Sequence, residues 1–177
     1  MIFTPTQLAG AYFIDVEPRN DDRGFFARSW CMNEFKNHDL NPNLAQCNIA
    51  YNIRRGTLRG LHYQAKPYEE AKLIRCTRGA IYDVIVDLRQ NSPTLKKWLS
   101  IELTDENHRA LYVPEGFAHG YQTLVNDTEI IYLVSEFYHP EVEHGIRWND
   151  PAFSIQWPIA DPIISIKDQA HPLWGSR

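Results

Sequence analysis

Residues 56–64 read GTLRGLHYQ, and residues 114–120 read PEGFAHG. Each segment sets a histidine, His62 or His119, beside glycines in a strand-like run, and their separation along the chain lets them face each other across a barrel. Imidazole is the side chain that by default gains and loses a proton near neutral pH. The pair therefore indicates either a metal site or metal-free proton transfer in the mouth of a β-barrel.

Length and composition favour one soluble domain. A chain of 177 residues is long enough to bury a core, and we expect a single domain spanning residues 1–177. The net charge of -4 gives no indication of nucleic acid or an anionic membrane surface as a partner. The N-terminus lacks a signal-peptide pattern, and no apolar run is long enough to span a bilayer. Three scattered cysteines disfavour a disulfide framework and a structural zinc site, so we expect a cytoplasmic location.

Short strand-like runs, separated by glycine, proline and Asn/Asp clusters, dominate the chain. The runs are Gly10–Val16, Leu58–Gln64, Lys72–Arg78, Ala80–Leu88, Trp98–Leu103, Ala110–Pro114, Glu129–Phe137 and Ser154–Trp157. Helical patterns are confined to Asn33–Asp39 and a capped turn at Thr104–Asn107. Because no βαβ alternation occurs, we predict an all-β jelly roll, a double-stranded β-helix, with a few short helices.

Strand periodicity predicts which side chains share a face of a sheet. Tyr132 and Leu133 point to opposite faces of their strand. Strict alternation would also place Arg59 and His62 on opposite faces. Gly60 lies between these two residues, at a position where a β-bulge would re-aim one of them.

Metal coordination is the minor alternative for the two histidines. Cupin-type barrels often hold a metal ion through an HxH pair, a downstream glutamate and the histidine of a PxGxxH segment. This chain has the last element at residues 114–119, but Gln64 stands where the second histidine of the pair would lie. With His62, His119 and no evident third ligand, the set falls short of the three or more ligands that a transition-metal ion needs.

Proton transfer needs a base, an acid on the opposite side of the substrate, and a cation beside the developing oxyanion. His62 is the candidate base, Tyr132 the acid and Lys72 the cation. A base histidine also needs a carboxylate to orient it. Three aspartates remain open for that role: Asp83, Asp87 and Asp168. Each residue taken singly has an ordinary structural explanation, and only their joint occurrence favours catalysis.

The local contexts of these residues resemble the dTDP-4-dehydrorhamnose 3,5-epimerase family of sugar-nucleotide epimerases. Besides residues 58–64 and 114–120, the matching stretches are 22–26 (DRGFF), 46–48 (QCN), 71–73 (AKL), 83–89 (DVIVDLR), 92–94 (SPT), 148–151 (WNDP) and 167–168 (KD). The resemblance extends from about Phe13 to about Leu173, which is nearly the whole chain.

The resemblance implies a cupin-type jelly roll, usually a homodimer, that acts on a nucleotide-linked 4-keto-6-deoxyhexose without metal or organic cofactor. It implies that His62 is the general base, Tyr132 the general acid, Lys72 the partner of the enolate oxygen and Asp168 the carboxylate paired with His62. It further implies a substrate-binding set: Arg23, Phe26, Arg28, Gln46, Asn48, Arg59, His119, Tyr138 and Glu143.

Three positions depart from the family pattern and bear on the substrate. One is Leu133, which follows Tyr132 where many relatives carry lysine or another polar residue, although by alternation it faces away from Tyr132. Arg28 stands where relatives carry a glutamate, and Ala50 stands where many carry a serine. The charge reversal makes a CDP- or other NDP-linked sugar an alternative to a dTDP-sugar, and inversion of C3, of C5 or of both stays open. A related ketoisomerase and a non-catalytic sugar-nucleotide-binding cupin are further alternatives. Retention of both His62 and Tyr132 in their epimerase contexts argues against the ketoisomerase. Retention of the base and of its acidic partner argues against the non-catalytic cupin.

Overall fold

The computed structural model describes residues 1–175. The strands are β1 Ile2–Pro5, β2 Tyr12–Asp15, β3 Arg19–Asp21, β4 Gly24–Phe26, β5 Gln46–Asn52, β6 Thr57–Gln64, β7 Lys72–Arg78, β8 Ala80–Asp87, β9 Trp98–Thr104, β10 Ala110–Val113, β11 Phe117–Thr123, β12 Thr128–Val134, β13 Glu143–Gly145 and β14 Ile163–Ile164. The helices are α1 Met32–Asn37 and α2 Ile166–Gln169. No helix within this part of the chain is long and apolar enough to cross a membrane.

Two sheets face each other. Sheet one has the order β1-β2-β10-β7-β12-β5, and sheet two has the order β13-β6-β11-β8-β9. The neighbours within both orders are antiparallel, and β14 adds a parallel pairing to β6. Strands β3 and β4 form a separate hairpin that pairs only with itself. The predicted all-β jelly roll with short helices is confirmed.

Each predicted run other than Ser154–Trp157 overlaps a strand, and α1 overlaps the helix predicted at Asn33–Asp39. The predicted turn is also present. The backbone N–H of Thr104 donates to the side chain of Asn107, and the backbone N–H of Asn107 donates to the side chain of Thr104. The strand predicted at Ser154–Trp157 is wrong. That segment is irregular, and Ile155 packs on the outer face of sheet two instead of pairing with a strand.

The core lies between the inner faces of the two sheets. Ile74 and Leu111 of sheet one pack in one cluster with Ile85 and Leu103 of sheet two, and all four are completely buried. Removing each such side chain from water contributes roughly 2 kcal/mol. The outer face of sheet two is covered by the chain that follows β13, and part of the outer face of sheet one is covered by Phe35 of α1. Polar side chains among the inward-facing residues therefore mark an opening in this apolar interior.

Candidate active site

A cavity of about 480 Å³ opens between the two sheets. Nine of the predicted site residues line it: Gln46, Asn48, Arg59, His62, Lys72, His119, Tyr132, Tyr138 and Glu143. Sheet one contributes strands β5, β7 and β12, and sheet two contributes β6, β11 and β13. The candidate base and the candidate acid therefore stand on opposite walls, since His62 belongs to sheet two and Tyr132 to sheet one.

An irregularity in β6 brings Arg59 and His62 to the same cavity. His62 pairs with His119 and Arg59 pairs with Tyr121, so β6 carries one more residue than β11 over this interval. Gly60 lies within it at φ +120°, a conformation that L side chains rarely adopt. The bulge considered for Gly60 is therefore present, and it overrides the strict alternation of a regular strand.

Asp168 is the carboxylate that reaches His62. Its Oδ1 lies 2.9 Å from Nε2 of His62, and its Oδ2 accepts a hydrogen bond from the backbone N–H of Gly60 at 3.2 Å. Burial alone would raise the pKa of Asp168, but its contacts with His62 and Gly60 lower the pKa below its ordinary value. An ionised Asp168 accepts the Nε2 hydrogen of His62, which leaves the lone pair of Nδ1 to take a proton.

The other two candidate aspartates have different partners. Asp83 is fully buried and its Oδ1 lies 2.7 Å from Nε2 of His119. Burial raises the pKa of Asp83, and this outweighs the contact with His119, which lowers it. Asp87 accepts hydrogen bonds from the side chain of Arg89. Neither aspartate therefore serves as the orienting partner of His62.

Lys72 and Tyr132 occupy the opposite wall. The ammonium group of Lys72 forms an ion pair with Glu70, and only about a tenth of each side chain is exposed, at 10% and 12%. Burial raises the pKa of Tyr132, the charge of Glu70 raises it further, and Arg59 partly opposes both. Tyr132 therefore keeps its proton at neutral pH and can donate it. Leu133 faces away from the cavity and packs in the cluster with Phe35, as alternation predicted.

Arg59 is held by a residue that the sequence patterns did not reveal. Its Nε donates to Oδ1 of Asn52 at 2.8 Å, and Asn52 is 2% exposed. The amide group of Asn52 also contacts the hydroxyl of Tyr121. This buried network fixes the guanidinium group at the cavity wall. Glu70 was missed for the same reason as Asn52, because neither residue belongs to a motif with a chemical role.

The cavity rim carries a second polar network. The hydroxyl of Tyr138 donates to Oε2 of Glu143 at 2.8 Å, and Nζ of Lys167 donates to the same oxygen at 2.6 Å. The backbone N–H of Tyr138 donates to Oε1 of Gln46. Tyr138 is half exposed, at 55%, so its ring is available to a ligand that enters the cavity. Asn48 lies beside these residues on β5 and pairs with Tyr132 in the register of the sheet.

Three predicted substrate-binding residues do not line the cavity of their own chain. Arg23 and Phe26 belong to the exposed β3–β4 hairpin, where the guanidinium of Arg23 pairs with Asp21 and Phe26 is 69% exposed. Arg28 follows the hairpin and lies 3.5 Å from a carboxylate oxygen of Glu34. Within one chain these three residues do not join the other nine, and their role in substrate binding stays a prediction. Ala50, in contrast, lines the cavity.

Comparisons with known proteins agree on one family. The family model described as dTDP-4-dehydrorhamnose 3,5-epimerase matches residues 5–176. The enzyme of that name from Sinorhizobium fredii is 42% identical over 173 residues, which cover 97% of this chain and 89% of the relative.

Solved structures give the same result. The crystal structure of dTDP-4-dehydrorhamnose 3,5-epimerase from Bacillus anthracis with TDP and PPi bound has a TM-score of 0.94 and 42% identity, and the match covers 97% of this chain and 98% of that one. The dTDP-6-deoxy-D-glucose-3,5-epimerase from Legionella pneumophila in complex with dTDP-4-keto-L-rhamnose has a TM-score of 0.91 and 34% identity, covering 97% and 92%.

Proposed function

The chain belongs to the dTDP-4-dehydrorhamnose 3,5-epimerase family, and we propose that it inverts C3 and C5 of a dTDP-linked 4-keto-6-deoxyhexose with His62 as base and Tyr132 as acid. It is an epimerase, and hence an isomerase, of sugar nucleotides. The observation that carries the proposed roles is the position of the His62–Asp168 pair on one wall of the cavity and of Tyr132 and Lys72 on the other.

The chemistry follows from the ketone at C4. The hydrogens at C3 and C5 flank that ketone, so removing either one gives an enolate whose negative charge lies on the C4 oxygen. His62 takes the proton, and Asp168 stabilises the imidazolium that results. The ammonium of Lys72 offsets the charge on the enolate oxygen where it develops. Tyr132 then returns a proton from the opposite face, and the carbon is inverted.

The remaining polar residues suit the nucleotide end of the substrate. Arg59, fixed by Asn52, offers a planar fork of donors to the diphosphate, and His119 lies nearby on β11. Tyr138 offers an exposed aromatic face on which a nucleobase can stack, with Glu143 bound to its hydroxyl. Gln46 and Asn48 line the same side of the cavity. The guanidinium of Arg59 supplies local positive charge for a diphosphate, although the whole chain carries a net charge of -4.

The proposed reaction needs neither metal nor organic cofactor, because the side chains supply base, acid and oxyanion partner. The comparisons do not favour the alternatives of an NDP-linked sugar with another base, a ketoisomerase or a non-catalytic cupin. We propose a cytoplasmic location, which is consistent with three free thiols at Cys31, Cys47 and Cys76.

We also propose that the protein works as a homodimer formed through the outer face of sheet one. Ile49, Ile131 and Arg75 follow one another in register across β5, β12 and β7, and therefore lie in one row on that face. Ile49 is 67% exposed, and the buried Nη2 of Arg75 has no hydrogen-bond partner within residues 1–175. A second copy on this face would cover the isoleucine and supply an acceptor to the guanidinium group.

A dimer also gives the β3–β4 hairpin a function. Arg23 and Phe26 are exposed and lie outside the cavity of their own chain, although the family resemblance places both against the substrate. We propose that the hairpin of each protomer reaches the cavity of its partner, where Arg23 adds a second guanidinium to the diphosphate site. Arg28 then lies near the partner's nucleotide.

Solvent deuterium exchange tests the epimerase assignment and the base together. Wild-type protein and His62→Ala are incubated in D₂O with dTDP-4-keto-6-deoxyglucose, and C3 and C5 are followed by proton NMR. We expect exchange and inversion at both carbons with the wild type and loss of both with the variant. Exchange at one carbon alone would make the protein a mono-epimerase. Undiminished exchange with folded His62→Ala would remove His62 as base.

A further inference from the structure

A second histidine lies beside the proposed catalytic pair and has no role in the proposed reaction. His171 follows α2, and its Nε2 lies 3.5 Å from Oδ1 of Asp168, the same oxygen that lies 2.9 Å from Nε2 of His62. The two imidazole rings meet edge to face, with centroids 5.5 Å apart. One carboxylate oxygen therefore stands between two imidazole nitrogens.

The Nε2 atom of His171 is buried and has no hydrogen-bond partner within the described chain. Such an atom is uncommon, because buried polar groups are almost always paired. Gly145 is what lets the ring come so close, since a Cβ built on Gly145 would lie 2.2 Å from this nitrogen. Gly145 itself pairs with His62 across β13 and β6, so the glycine sets His171 directly beside the base.

From this geometry we propose that His62, Asp168 and His171 bind a divalent transition-metal ion of the Zn²⁺ type, and that the bound ion inhibits the enzyme. One ligand atom from each of the three residues lies within 4.8 Å of the other two. Two imidazoles and one carboxylate are ligands that Zn²⁺, Co²⁺ and Ni²⁺ prefer, whereas Mg²⁺ prefers oxygen alone.

The distances fit an ion placed between these atoms. At metal–ligand distances of roughly 2.1 Å, a separation of 2.9 Å between Nε2 of His62 and Oδ1 of Asp168 corresponds to an angle of about 90° at the ion. The separation of 3.5 Å between Nε2 of His171 and the same oxygen corresponds to about 115°. Both angles lie within roughly 20° of the tetrahedral value. The ligand atoms of the two histidines lie within 4.8 Å of each other, and binding one ion draws them together.

The surroundings also suit a metal site. The second oxygen of Asp168 accepts the N–H of Gly60, which holds the carboxylate in place in the way that outer contacts hold metal ligands. His62 is one-third exposed, at 33%, and lines the cavity, so the ion can enter from there and keep a water molecule as a fourth ligand.

Inhibition follows because the ion binds the Nε2 atom of His62. The neutral imidazole binds the ion through the lone pair of Nε2, so its one ring hydrogen moves from Nε2 to Nδ1, and the hydrogen bond to Asp168 is lost. Nδ1 then has no lone pair with which to take the substrate proton, and Asp168 no longer stabilises an imidazolium. Inhibition rests on the proposed function of His62, whereas metal binding does not.

Calorimetry on the full chain, freed of metal with a chelator, measures binding without reference to activity. We expect ZnCl₂ to bind wild-type protein with one ion per chain, and Co²⁺ to give the intense visible bands of tetrahedral coordination. His171→Gln keeps much of the side-chain volume while removing the imidazole ligand, and should weaken binding at least tenfold, since losing an outer contact to a metal ligand alone costs roughly that much. His139→Ala is the matched control, because His139 pairs with a carboxylate of Glu141 but belongs to no three-ligand group within residues 1–175.

Zn²⁺ should also abolish the deuterium exchange of the wild type, a chelator should restore it, and His171→Gln should resist the ion. Equal Zn²⁺ affinity of wild type and folded His171→Gln, or a loss in His139→Ala as large as in His171→Gln, would overturn the site. Tight binding at His171 without inhibition would overturn the inhibitory role and leave the site in place. If His171→Gln does not fold, wild-type protein that shows no tetrahedral Co²⁺ spectrum would still refute the proposal.

Discussion

Gly60 and Gly120 are in direct backbone contact, because a Cβ built on Gly60 would lie 2.6 Å from Cα of Gly120 and 2.7 Å from the carbonyl oxygen of His119. Gly60 also holds a φ of +120°. Both conditions exclude a side chain, and together they allow β6 to carry its extra residue and to present Arg59 and His62 to one cavity. The backbone of this glycine pair thus shapes the candidate active site.

Gly60→Ala should therefore destabilise the protein by roughly 2 to 4 kcal/mol, from steric overlap and unfavourable φ combined. Activity should fall more than the folded fraction does, since any relief of the overlap moves His62. Thermal unfolding and kcat measured on the same sample separate the two effects.

Gly24→Ala is the control for backbone conformation alone. Gly24 has a similar φ of +131°, but no atom lies within 4 Å of its Cβ position. We expect a loss of only about 1 kcal/mol. Equal losses at Gly60 and Gly24 would mean that the contact with Gly120 has little energetic weight.

The sequence predicted the features that depend on local patterns. Alternation gave the opposite directions of Tyr132 and Leu133, and the glycine between Arg59 and His62 indicated the bulge. Local patterns cannot predict contacts between segments that are far apart in the sequence. Asp168 is 106 residues from His62, so three aspartates stayed open until the resemblance selected one of them.

Three residues beside the cavity were not predicted from the sequence, for the same physical reason. Asn52, Glu70 and His171 act through neighbours that only the folded chain supplies, and none belongs to a short motif. The sequence also assigned Arg23 to the substrate without indicating which copy of the chain provides the cavity.

Tyr132→Phe should separate proton removal from inversion. In the proposed mechanism Tyr132 supplies the proton to the opposite face of the sugar, and burial raises its pKa. The variant should lose inversion by about 10² to 10⁴-fold. Deuterium should still enter C3 and C5 with retained configuration, because His62 can remove a proton and return a deuteron on its own side.

Tyr121→Phe is the matched control for this change. Its phenol also lines the cavity, but the hydroxyl is engaged by the buried Asn52, and burial raises its pKa to about 12. We expect a far smaller loss of inversion than in Tyr132→Phe. A larger loss in Tyr121→Phe would transfer the acid role to Tyr121.

Lys72→Met should slow exchange at both carbons by about 10² to 10³-fold, because the enolate oxygen loses its cation. The change also leaves the carboxylate of Glu70 nearly buried without its partner, which should cost roughly 2 to 4 kcal/mol of stability. Adding Glu70→Gln should restore the melting temperature but not the exchange rate. Recovery of exchange in the double variant would show that Lys72 has only a structural role.

The carboxylate of Asp87 should contribute to the loss of folding stability at acidic pH. Burial alone would raise the pKa of Asp87, but hydrogen bonds from Arg89, Ser92 and Thr94 lower it to about 2. Because the folded-state pKa lies below the unfolded value of 3.8, the contribution is complete above about pH 4 and disappears as the pH falls toward 2. This difference corresponds to about 2 kcal/mol.

Urea unfolding of wild type and Asp87→Asn across this range measures the contribution. The wild type should lose stability between pH 4 and pH 2 more steeply than the variant, and the gap between them should be widest at neutral pH. Parallel stability curves would contradict the role of Asp87.

Mixing two inactive variants tests whether the hairpin acts on the partner's cavity. Arg23→Ala should lose most of kcat/KM and His62→Ala all of its exchange, each with an unchanged fold, because Arg23 is exposed on the hairpin. In a mixed dimer, the cavity that keeps His62 receives the intact Arg23 of the other protomer. Random pairing should then restore about a quarter of the wild-type activity.

Co-expression of His62→Ala with Asp168→Ala is the control for this experiment. Both of these residues belong to the same cavity, with Nε2 and Oδ1 2.9 Å apart, so neither protomer can complete the other and no activity should return. Rescue in the first mixture but not in the second would place Arg23 in trans. If both mixtures stay inactive while mixed dimers form, Arg23 does not complete the partner's site, and the proposal of a site shared between protomers is wrong.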